Sequence, residues 1–331
     1  MRAFAPRAFG KPNDRAGRPS VTSRMPATLI ALDWGTTSAR AYRLGPRGEV
    51  LEARNGTLGI QRLDGQTFAD AFAMLVGEWR DESVPRLACG MIGSRQGWRE
   101  VPYVPCPASL DRLSHGLLET DGGELAIVPG LSTRDAAGTP DVMRGEETQL
   151  LGAVPPESTR TLVVLPGTHS KWARVDRGVV LDFTTFMTGE MYDALIGHTI
   201  LGRLPAGAPP VDPDAAFARG VHRGLGAGGF THDVFGARTL ALMGELPSGD
   251  VPEWLSGFVI GREIRNARTW AQHAGDDASR VLVVGSHALA TRYLAALRVS
   301  DIVATPGPAD AAAAGLFRIA CAAGKVAPEY A

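Results

Sequence analysis

A short pattern occurs twice in this chain, once near residue 30 and again near residue 162. Residues 30–42 align with residues 162–174 without a gap, and after a shift of two residues the segments 47–51 and 177–181 also match. Each copy reads as a strand, a Gly-Thr-x-Ser turn, a second strand, a short turn and a third strand. A chance match is the alternative in a chain rich in Gly and Ala. A duplicated β-hairpin unit, one in each of two lobes, explains the pattern better.

The length and the remaining patterns also favour two α/β lobes. Single domains commonly contain about 100–200 residues, and this chain has 331. Strand-like apolar runs at 29–32, 162–165 and 281–284 are each followed by a turn rich in Gly, Ser or Thr. Helical spacing of apolar residues occurs at 67–79, 146–153, 252–274, 287–297 and 309–322. The Pro-rich segment 205–213 and the Gly-rich segment 220–229 are predicted to be loops or a hinge.

Composition excludes several classes of protein. The formal net charge is −1, from 34 basic and 35 acidic residues, so no overall field attracts nucleic acid or an anionic membrane. The three cysteines lack C-x-x-C spacing, and the histidines lack zinc-site spacing. No apolar run reaches the ~18 residues that a spanning helix needs. We therefore expect a cytoplasmic protein without nucleic acid or membrane partners.

The first turn of the repeat combines an acid with Gly and hydroxyl residues, Asp33-Trp34-Gly35-Thr36-Thr37-Ser38. A carboxylate at a strand end can hold a magnesium ion through water, while backbone N–H groups and hydroxyls surround phosphate oxygens. A tight hairpin with capping hydroxyls is the alternative, but it leaves Asp33 unexplained because Asp is disfavoured in strands. We predict that this turn binds a magnesium nucleotide through Asp33, Gly35, Thr36, Thr37 and Ser38, with Asp33 directed at the metal.

The second turn lacks the acid and reads Pro166-Gly167-Thr168-His169-Ser170-Lys171-Trp172. A second phosphate-binding turn needs donors rather than another metal-directed acid, and His169 and Lys171 supply them. Two such turns facing each other across a cleft would hold the β- and γ-phosphates, which is the positioning that phosphoryl transfer requires. We predict phosphate contacts from Gly167, Thr168, His169, Ser170 and Lys171. An ordinary surface lysine is the alternative for Lys171.

These turns resemble the phosphate 1 and phosphate 2 motifs of sugar kinases in the actin, hexokinase and heat-shock ATPase superfamily. The stretches Gly90-Met91-Ile92-Gly93-Ser94-Arg95-Gln96-Gly97-Trp98 and Met143-Arg144-Gly145-Glu146-Glu147-Thr148-Gln149 narrow the resemblance to the 2-dehydro-3-deoxygalactonokinase family, over about residues 27–316. The resemblance implies two RNase-H-like α/β lobes with a central cleft for ATP and substrate. It also implies a carbohydrate kinase that uses ATP and Mg²⁺ to phosphorylate the 6-hydroxyl of 2-dehydro-3-deoxy-D-galactonate in galactonate breakdown.

The catalytic base implied by the resemblance opens a helix just before phosphate 2. Gly145-Glu146-Glu147 occupies that place, with Glu where the related kinases usually carry Asp. Either acid could accept the proton of the substrate hydroxyl, and Glu146 is preferred over Glu147. The alternative for either one is an acidic first helical turn that complements the helix dipole.

A sugar acid needs a donor for its carboxylate, and a planar guanidinium can pair with a carboxylate in bidentate fashion. Arg95 is the first candidate, and Arg144 is the second because it adjoins the predicted base. A solvated loop position is the alternative for Arg95. Further substrate contacts are expected from Gly93 and Ser94, with an apolar wall formed by Trp98 and Tyr103.

Two weaker resemblances and the domain boundaries complete the prediction. Gly285 and Ser286 lie where a strand enters a helix, which resembles the adenosine motif but is also an ordinary α/β connection. The small-residue helix at 310–316 resembles a pivot between lobes, or it serves close helix packing. We predict a disordered extension at 1–26, lobes at 27–155 and 156–320, and a tail at 321–331.

The same residues leave other functions open. A kinase of this fold could act on another sugar acid or a hexose, and a non-enzymatic ATPase switch could use the same cleft. The switch is less favoured, because no helix-turn-helix pattern precedes residue 29 and no long extension follows residue 316. The sequence leaves the oligomeric state open, with a homodimer as one option.

Overall fold

The computed structural model describes residues 25–204 and 207–327. The predicted extension up to residue 24, and residues 328–331 of the predicted tail, lie outside the described residues. In the described part of the chain, no helix is long and apolar enough to cross a bilayer.

The first half of the chain alternates strands with short helices. Its elements are β1 (Leu29–Trp34), β2 (Ala39–Leu44), β3 (Val50–Gly56), α1 (Phe68–Val76), β4 (Arg86–Gly90), β5 (Val104–Pro105), β6 (Ala108–Ser109), α2 (Leu110–His115), β7 (Leu118–Glu119), β8 (Ala126–Ile127), β9 (Leu131–Arg134), β10 (Pro140–Met143) and α3 (Glu146–Ala153).

The second half repeats the strand pattern and then becomes mostly helical. Its elements are β11 (Thr161–Leu165), β12 (Ser170–Asp176), β13 (Val179–Phe186), α4 (Thr188–His198), α5 (Pro213–Leu225), α6 (Phe230–Asp233), α7 (Gly236–Leu242), α8 (Val251–His273), β14 (Arg280–Val283), α9 (His287–Val299), β15 (Val303–Pro306) and α10 (Ala311–Ala322). Short 3-10 helices lie at Gly77–Asp81, Met91–Gly93, Ile200–Arg203 and Ser248–Asp250. The predicted strands and helices are all present, with ends that differ by a few residues.

Two large sheets share one design, which confirms the duplicated unit. The first has the order β3-β2-β1-β4-β8-β7 and the second β15-β14-β11-β12-β13-β6. In each, three consecutive strands form an antiparallel meander, and the first of them pairs in parallel with a later strand. The turns between the second and third strands both use a Gly with positive φ, Gly48 at 80° and Gly178 at 72°. The predicted α/β fold with two RNase-H-like lobes is confirmed.

Two segments cross the predicted boundary near residue 155. β6 comes from the first half but pairs with β13 in the second sheet. α10 comes from the end of the chain but packs on α3, β1 and β4. A Cβ at Gly152 would lie 1.8 Å from the Ala311 carbonyl oxygen, so the small residues allow the close packing of α3 and α10.

The prediction of a loop at 220–229 was wrong for its first half. α5 extends to Leu225, and a Cβ at Gly220 or Gly224 would lie 2.0 Å from the Trp254 carbonyl oxygen or 2.3 Å from that of Phe258. These glycines let α5 pack closely on α8 instead of breaking the helix. The start of α5 can be predicted from the sequence, because Asp is a preferred N-cap residue. Asp212 caps the helix by accepting a hydrogen bond from the Ala215 N–H (3.1 Å).

Candidate functional site

A cavity of about 440 Å³ lies between the two lobes, where the first turn of each meander faces the start of α3. Its wall is formed by Asp33, Gly35, Thr36, Gly90, Met91, Tyr103, Val142, Met143, Arg144, Gly145, Glu146, Gln149, Leu165, Pro166, Gly167, Thr168, His169 and Lys171. The structure thus brings residues of both repeated turns together with the Arg144–Glu146 segment.

The β1–β2 turn is fixed from behind by a segment that the sequence did not single out. The Ile60 and Gln61 N–H groups donate to the carbonyl oxygens of Gly35 (3.1 Å) and Thr36 (3.0 Å). Gly59 makes this approach possible, since a Cβ there would lie 2.3 Å from the Thr36 oxygen. Gly35 and Thr36 line the cavity, whereas Thr37 and Ser38 are exposed and do not line it.

The β11–β12 turn is held by the start of α4. The Glu190 N–H donates to the Thr168 carbonyl oxygen (3.1 Å), and a Cβ at Gly189 would lie 2.7 Å from the Gly167 oxygen. The Glu190 carboxylate also lies 2.5 Å from Nε2 of His169. Gly167, Thr168 and His169 therefore reach the cavity wall as predicted.

Lys171 and Ser170 point in different directions. Lys171 is 5% exposed and lines the cavity, so the surface-lysine alternative is wrong. Its Nζ donates to the His169 carbonyl oxygen (3.2 Å) and lies 3.8 Å from Oε1 of Glu146. Ser170 is fully buried, does not line the cavity, and bonds to the Tyr293 hydroxyl (2.8 Å).

Asp33 is the penultimate residue of β1 and lines the cavity. Burial raises the pKa of its carboxyl to about 6; Arg40 acts in the opposite direction, and Glu146 adds to the rise. Its neighbour across the parallel pair is Cys89, whose Sγ lies 4.0 Å from Oδ1 of Asp33. Asp33 is thus a half-buried carboxylate whose negative charge is only partly compensated by the protein.

Glu146 and Glu147 begin α3 in different environments. Glu146 is partly exposed in the cavity, and its Oε2 accepts the Arg144 backbone N–H (3.0 Å). Glu147 is fully buried, accepts from the Gly145 N–H (2.7 Å) and from Oγ1 of Thr148 (3.0 Å), and does not line the cavity. Burial, and then the charge of Glu146, raise the pKa of Glu147 to about 8. The geometry separates one cavity-facing acid from one structural acid.

Arg144 is a buried cation with unused donors. It is 8% exposed, its guanidinium lies over the Tyr103 ring at 4.3 Å, and its Nη2 donates to the Val101 carbonyl oxygen (2.7 Å). Within the described ranges, its buried Nε and Nη1 have no hydrogen-bond partner. Gly93 makes room for it, because a Cβ there would lie 2.8 Å from Nη1. Buried donors without a partner are costly, so Arg144 is suited to an anionic ligand.

Among the other predicted substrate residues, Tyr103 lines the cavity, whereas Gly93, Ser94, Arg95 and Trp98 do not. Arg95 is 88% exposed and 3.7 Å from Glu100, which matches the solvated-loop alternative. Trp98 packs on Phe68 and Phe72 in the apolar core of the first lobe. Ser94 does not line the cavity, and its buried Oγ lacks a hydrogen-bond partner among the described residues.

A second cavity of about 250 Å³ continues from the first, sharing Asp33 and Gln149 with it. It is lined by Asp33, Arg40, Tyr42, Gln149, Val284, Gly285, Ser286, His287, Pro308, Ala309, Ala311 and Ala312. Gly285 and Ser286 therefore lie next to the main cavity, and a Cβ at Gly285 would lie 3.5 Å from Cδ of Pro166 in the β11–β12 turn. The sequence pattern did not single out Arg40 or Gln149. Arg40 follows Ser38 by two residues, and Gln149 follows Glu146 by three residues in α3, so both lie close in sequence to predicted site residues.

Comparisons with known proteins cover both lobes. A sequence model of the 2-keto-3-deoxy-galactonokinase family matches residues 33–319. The 2-dehydro-3-deoxygalactonokinase of Escherichia coli K12 is 37% identical over 288 residues, which cover 86% of this chain and 94% of that protein. A candidate enzyme of the same name from Rhizobium meliloti is 37% identical over 291 residues, covering 85% and 92%. The crystal structure of a candidate 2-dehydro-3-deoxygalactonokinase from Sinorhizobium meliloti superposes with a TM-score of 0.80 at 35% identity, over 89% of this chain and 98% of that one.

Proposed function

Because the chain belongs to the 2-keto-3-deoxy-galactonokinase family, we propose that it transfers the γ-phosphoryl group of ATP to the 6-hydroxyl of 2-dehydro-3-deoxy-D-galactonate. One observation carries this proposal: a single cavity holds Asp33, Arg144, Glu146 and Lys171 between the two Gly-Thr turns. Phosphoryl transfer depends mainly on positioning and on charge stabilisation, and this set of side chains supplies both.

Magnesium fits the acidic end of the cavity. Asp33 lines both cavities, and burial raises its pKa, with Arg40 opposing the rise and Glu146 adding to it, so a bound cation would stabilise the ionised carboxylate. Mg²⁺ usually binds through one or two carboxylates, water and substrate phosphates, so Asp33 is the residue that would hold it. The bound ion would neutralise charge on the phosphate oxygens. The described residues contain no cluster of three or more His, Cys, Asp or Glu suited to a metal, and this mode of binding needs none.

Lys171 and the turn residues Gly167 and Thr168 would hold the transferred phosphoryl group from the second lobe. The Lys171 ammonium lies in the cavity wall with little water around it, which strengthens its attraction for phosphate oxygens. The adenosine would lie in the second cavity beside Gly285 and Ser286, since that cavity joins the first at Asp33 and Gln149.

Glu146 would orient the 6-hydroxyl and accept its proton. One of its oxygens is fixed by the Arg144 N–H, and the other lies 3.8 Å from Nζ of Lys171, close to where the phosphoryl group would pass. Glu147 already uses its carboxyl for the Gly145 N–H and the Thr148 hydroxyl, and it faces the core. We therefore assign the proton transfer to Glu146 and a positioning role to Glu147.

Arg144 would bind the carboxylate of the sugar acid. Its Nε and Nη1 are free among the described residues, and the Tyr103 ring and the Val101 oxygen hold the guanidinium plane in place. A guanidinium fixed in this way can donate a charge-assisted hydrogen bond to a carboxylate. Arg95 is exposed on the surface and is not needed for this role.

The experiment measures ADP release with Mg²⁺ and ATP in the presence of 2-dehydro-3-deoxygalactonate, its gluconate epimer, galactonate, galactose or no sugar. Strong stimulation by the first compound is expected, and stimulation by none of them would refute the assigned reaction. The carboxylate site is tested with Arg144→Met, for which KM of the sugar acid should rise about 10–100-fold, the value of a charge-assisted hydrogen bond. KM of ATP should stay unchanged.

Two controls sharpen this test. Arg95→Met removes an exposed arginine near the same lobe surface and should leave both KM values unchanged. The methyl ester of the sugar acid lacks the charge, so the wild-type enzyme should discriminate against it and Arg144→Met should not. Equal discrimination by both proteins would remove Arg144 from the substrate site.

A further inference from the structure

Glu263 is a buried carboxyl that neither the phosphate turns nor the substrate site explains. It lies in the middle of α8, is 2% exposed, and lines neither of the cleft cavities. Within the described residues it forms no ion pair with a Lys or Arg. Burial raises the pKa of Glu263 above its ordinary value, and hydrogen bonds from neighbouring side chains oppose that rise. Burying a carboxyl group costs free energy, and hydrogen-bond donors around it offset part of that cost. The positions of the donors around Glu263 therefore indicate what this group does in the fold.

The donors come from elements that end in the cleft. Oε1 accepts from Nε1 of Trp172 on β12 (2.7 Å), and Oε2 accepts from the hydroxyl of Tyr293 on α9 (2.7 Å). Ser170 on β12 joins this set through the Tyr293 hydroxyl (2.8 Å), and the Thr188 side chain at the start of α4 stabilises the charged form of the carboxyl. One buried group therefore joins β12, α4 and α9.

Each of these elements also borders the nucleotide side of the cleft. On β12, Ser170 stands between His169 and Lys171, which both line the main cavity. On α4, Gly189 follows Thr188 and packs on the β11–β12 turn. α9 begins at His287, beside the Gly285–Ser286 wall of the second cavity. The contacts of Glu263 thus connect the two parts of the predicted ATP site that the second lobe supplies, the β11–β12 turn and the start of α9.

The direction of the hydrogen bonds also depends on Glu263. A Trp ring N–H can only donate, and a carboxylate can only accept. When the Tyr293 O–H donates to Glu263, the Ser170 O–H is the group that donates to the Tyr293 oxygen. The rotamer of Ser170, and with it the backbone between His169 and Lys171, is set from the core.

We propose that Glu263 is a positioning residue for ATP, which fixes the β11–β12 turn and the start of α9 in the geometry that binds the nucleotide. The proposal rests on the proposed kinase function for the identity of the nucleotide. It concerns the second lobe only, so it leaves the sugar acid site of the first lobe unaffected.

The decisive variant is Glu263→Gln, which keeps the volume of the side chain. Its amide would donate to the Tyr293 oxygen, and the bond between Tyr293 and Ser170 would reverse. We expect Kd and KM of ATP to rise about tenfold, the usual effect of losing one hydrogen bond to a charged group, with KM of the sugar acid unchanged. Tyr293→Phe removes the link to Ser170 alone and should act in the same direction, so it decides the matter if Glu263→Gln does not fold.

Asp250→Asn is the matched control. Asp250 is 1% exposed in the same lobe, and its carboxylate accepts from the Val211 and Asp212 N–H groups away from the cleft. The Asp250→Asn substitution should lower the melting temperature of the protein without changing its affinity for ATP. A folded Glu263→Gln protein with wild-type affinity for ATP, or one in which both KM values rise equally, would overturn the proposal.

ATP binding is measured directly by calorimetry with Mg²⁺ and a non-hydrolysable ATP analogue, in the absence of any sugar. This readout keeps the two proposals apart. If no sugar acid stimulates the wild-type enzyme but Glu263→Gln still weakens nucleotide binding, the reaction is refuted and the positioning role stands. If the sugar acid stimulates ADP release and both variants bind the nucleotide normally, the positioning role is refuted alone.

Discussion

Glu146 and Glu147 follow each other in the sequence, yet their side chains occupy opposite sides of the first turn of α3. Glu146 faces the cavity and Lys171, while Glu147 faces the core and does not line the cavity. The reversal at Gly145, with a φ of 107°, brings this turn close to the end of β4. A residue with a Cβ would be strained there, which accounts for the Gly that precedes the acids.

The two acids should respond differently to the same substitution. Glu146→Gln removes the proton acceptor, and kcat should fall about 10²–10⁴-fold, the usual contribution of a general base. Glu147→Gln keeps a carbonyl for the Gly145 N–H and an amide for the Thr148 hydroxyl, so kcat should stay within about threefold of wild type. Steady-state kinetics of both proteins decide the assignment. The opposite order of effects would transfer the catalytic role to Glu147.

The sequence predicted residue types better than side-chain directions. Asp33, Lys171 and Glu146 were found because a strand end, a repeated turn and a helix start restrict where each can lie. Arg95 and Arg144 both adjoin glycine-rich segments, and no local sequence pattern shows which of the two side chains is buried. The stacking of Arg144 on Tyr103 joins residues distant in sequence, so only the folded chain shows which arginine lines the cavity.

At the scale of whole elements, the repeat predicted the meanders well, because period-two alternation and a Gly turn are local signals. The helical pairs were harder to predict. Glycines in α5, α3 and α10 resembled breakers or hinges, but in the structure they allow backbones to come close to another helix. Whether a helical Gly breaks a helix or packs against a neighbour depends on a partner far away in the sequence.

The crossing of α3 and α10 gives a test at this scale. A Cβ at Gly315 would lie 1.9 Å from the Thr148 carbonyl oxygen, so Gly315→Ala must push the helices apart. We expect the free energy of unfolding to fall by about 1–3 kcal/mol, as in other overpacked cores. Because α3 carries Glu146, kcat should fall as well.

Gly197→Ala is the control for the loss of a helical glycine. Gly197 lies near the end of α4, and among the described residues no atom outside the adjacent backbone of that helix comes within 4 Å of the position of its Cβ. Its replacement by Ala should be neutral or stabilise the protein by up to about 1 kcal/mol. Urea denaturation of both variants measures the difference, and equal stability of Gly315→Ala and wild type would contradict the close packing.

For the molecule as a whole, the two lobes share a core and cannot be separated along the sequence. Leu316 and Ile319 of α10 are fully buried in the same apolar cluster as Leu29 of the first sheet and Val163 of the second. On the other side of the cleft, Asp141 of β10 accepts from the N–H (2.8 Å) and the hydroxyl (2.7 Å) of Thr185 on β13. We therefore expect closure over substrates to be a rotation about this shared base.

The shared core leads to a prediction about the first lobe. Residues 25–155 contain the whole first sheet but lack α10, so the burial of Leu316, Phe317 and Ile319 is lost. Full burial of one such side chain is worth about 1.5–3 kcal/mol, and the total stability of a domain is about 5–15 kcal/mol. Residues 25–155 alone should therefore remain unfolded or aggregate.

A chain in which a flexible linker joins residue 155 to residues 308–327 should regain a cooperative urea transition, and the same chain with Leu316→Asp and Ile319→Asp should not. If residues 25–155 alone unfold cooperatively and show dispersed amide resonances, α10 is not part of the first lobe's core, and the boundary near residue 155 is a true domain boundary.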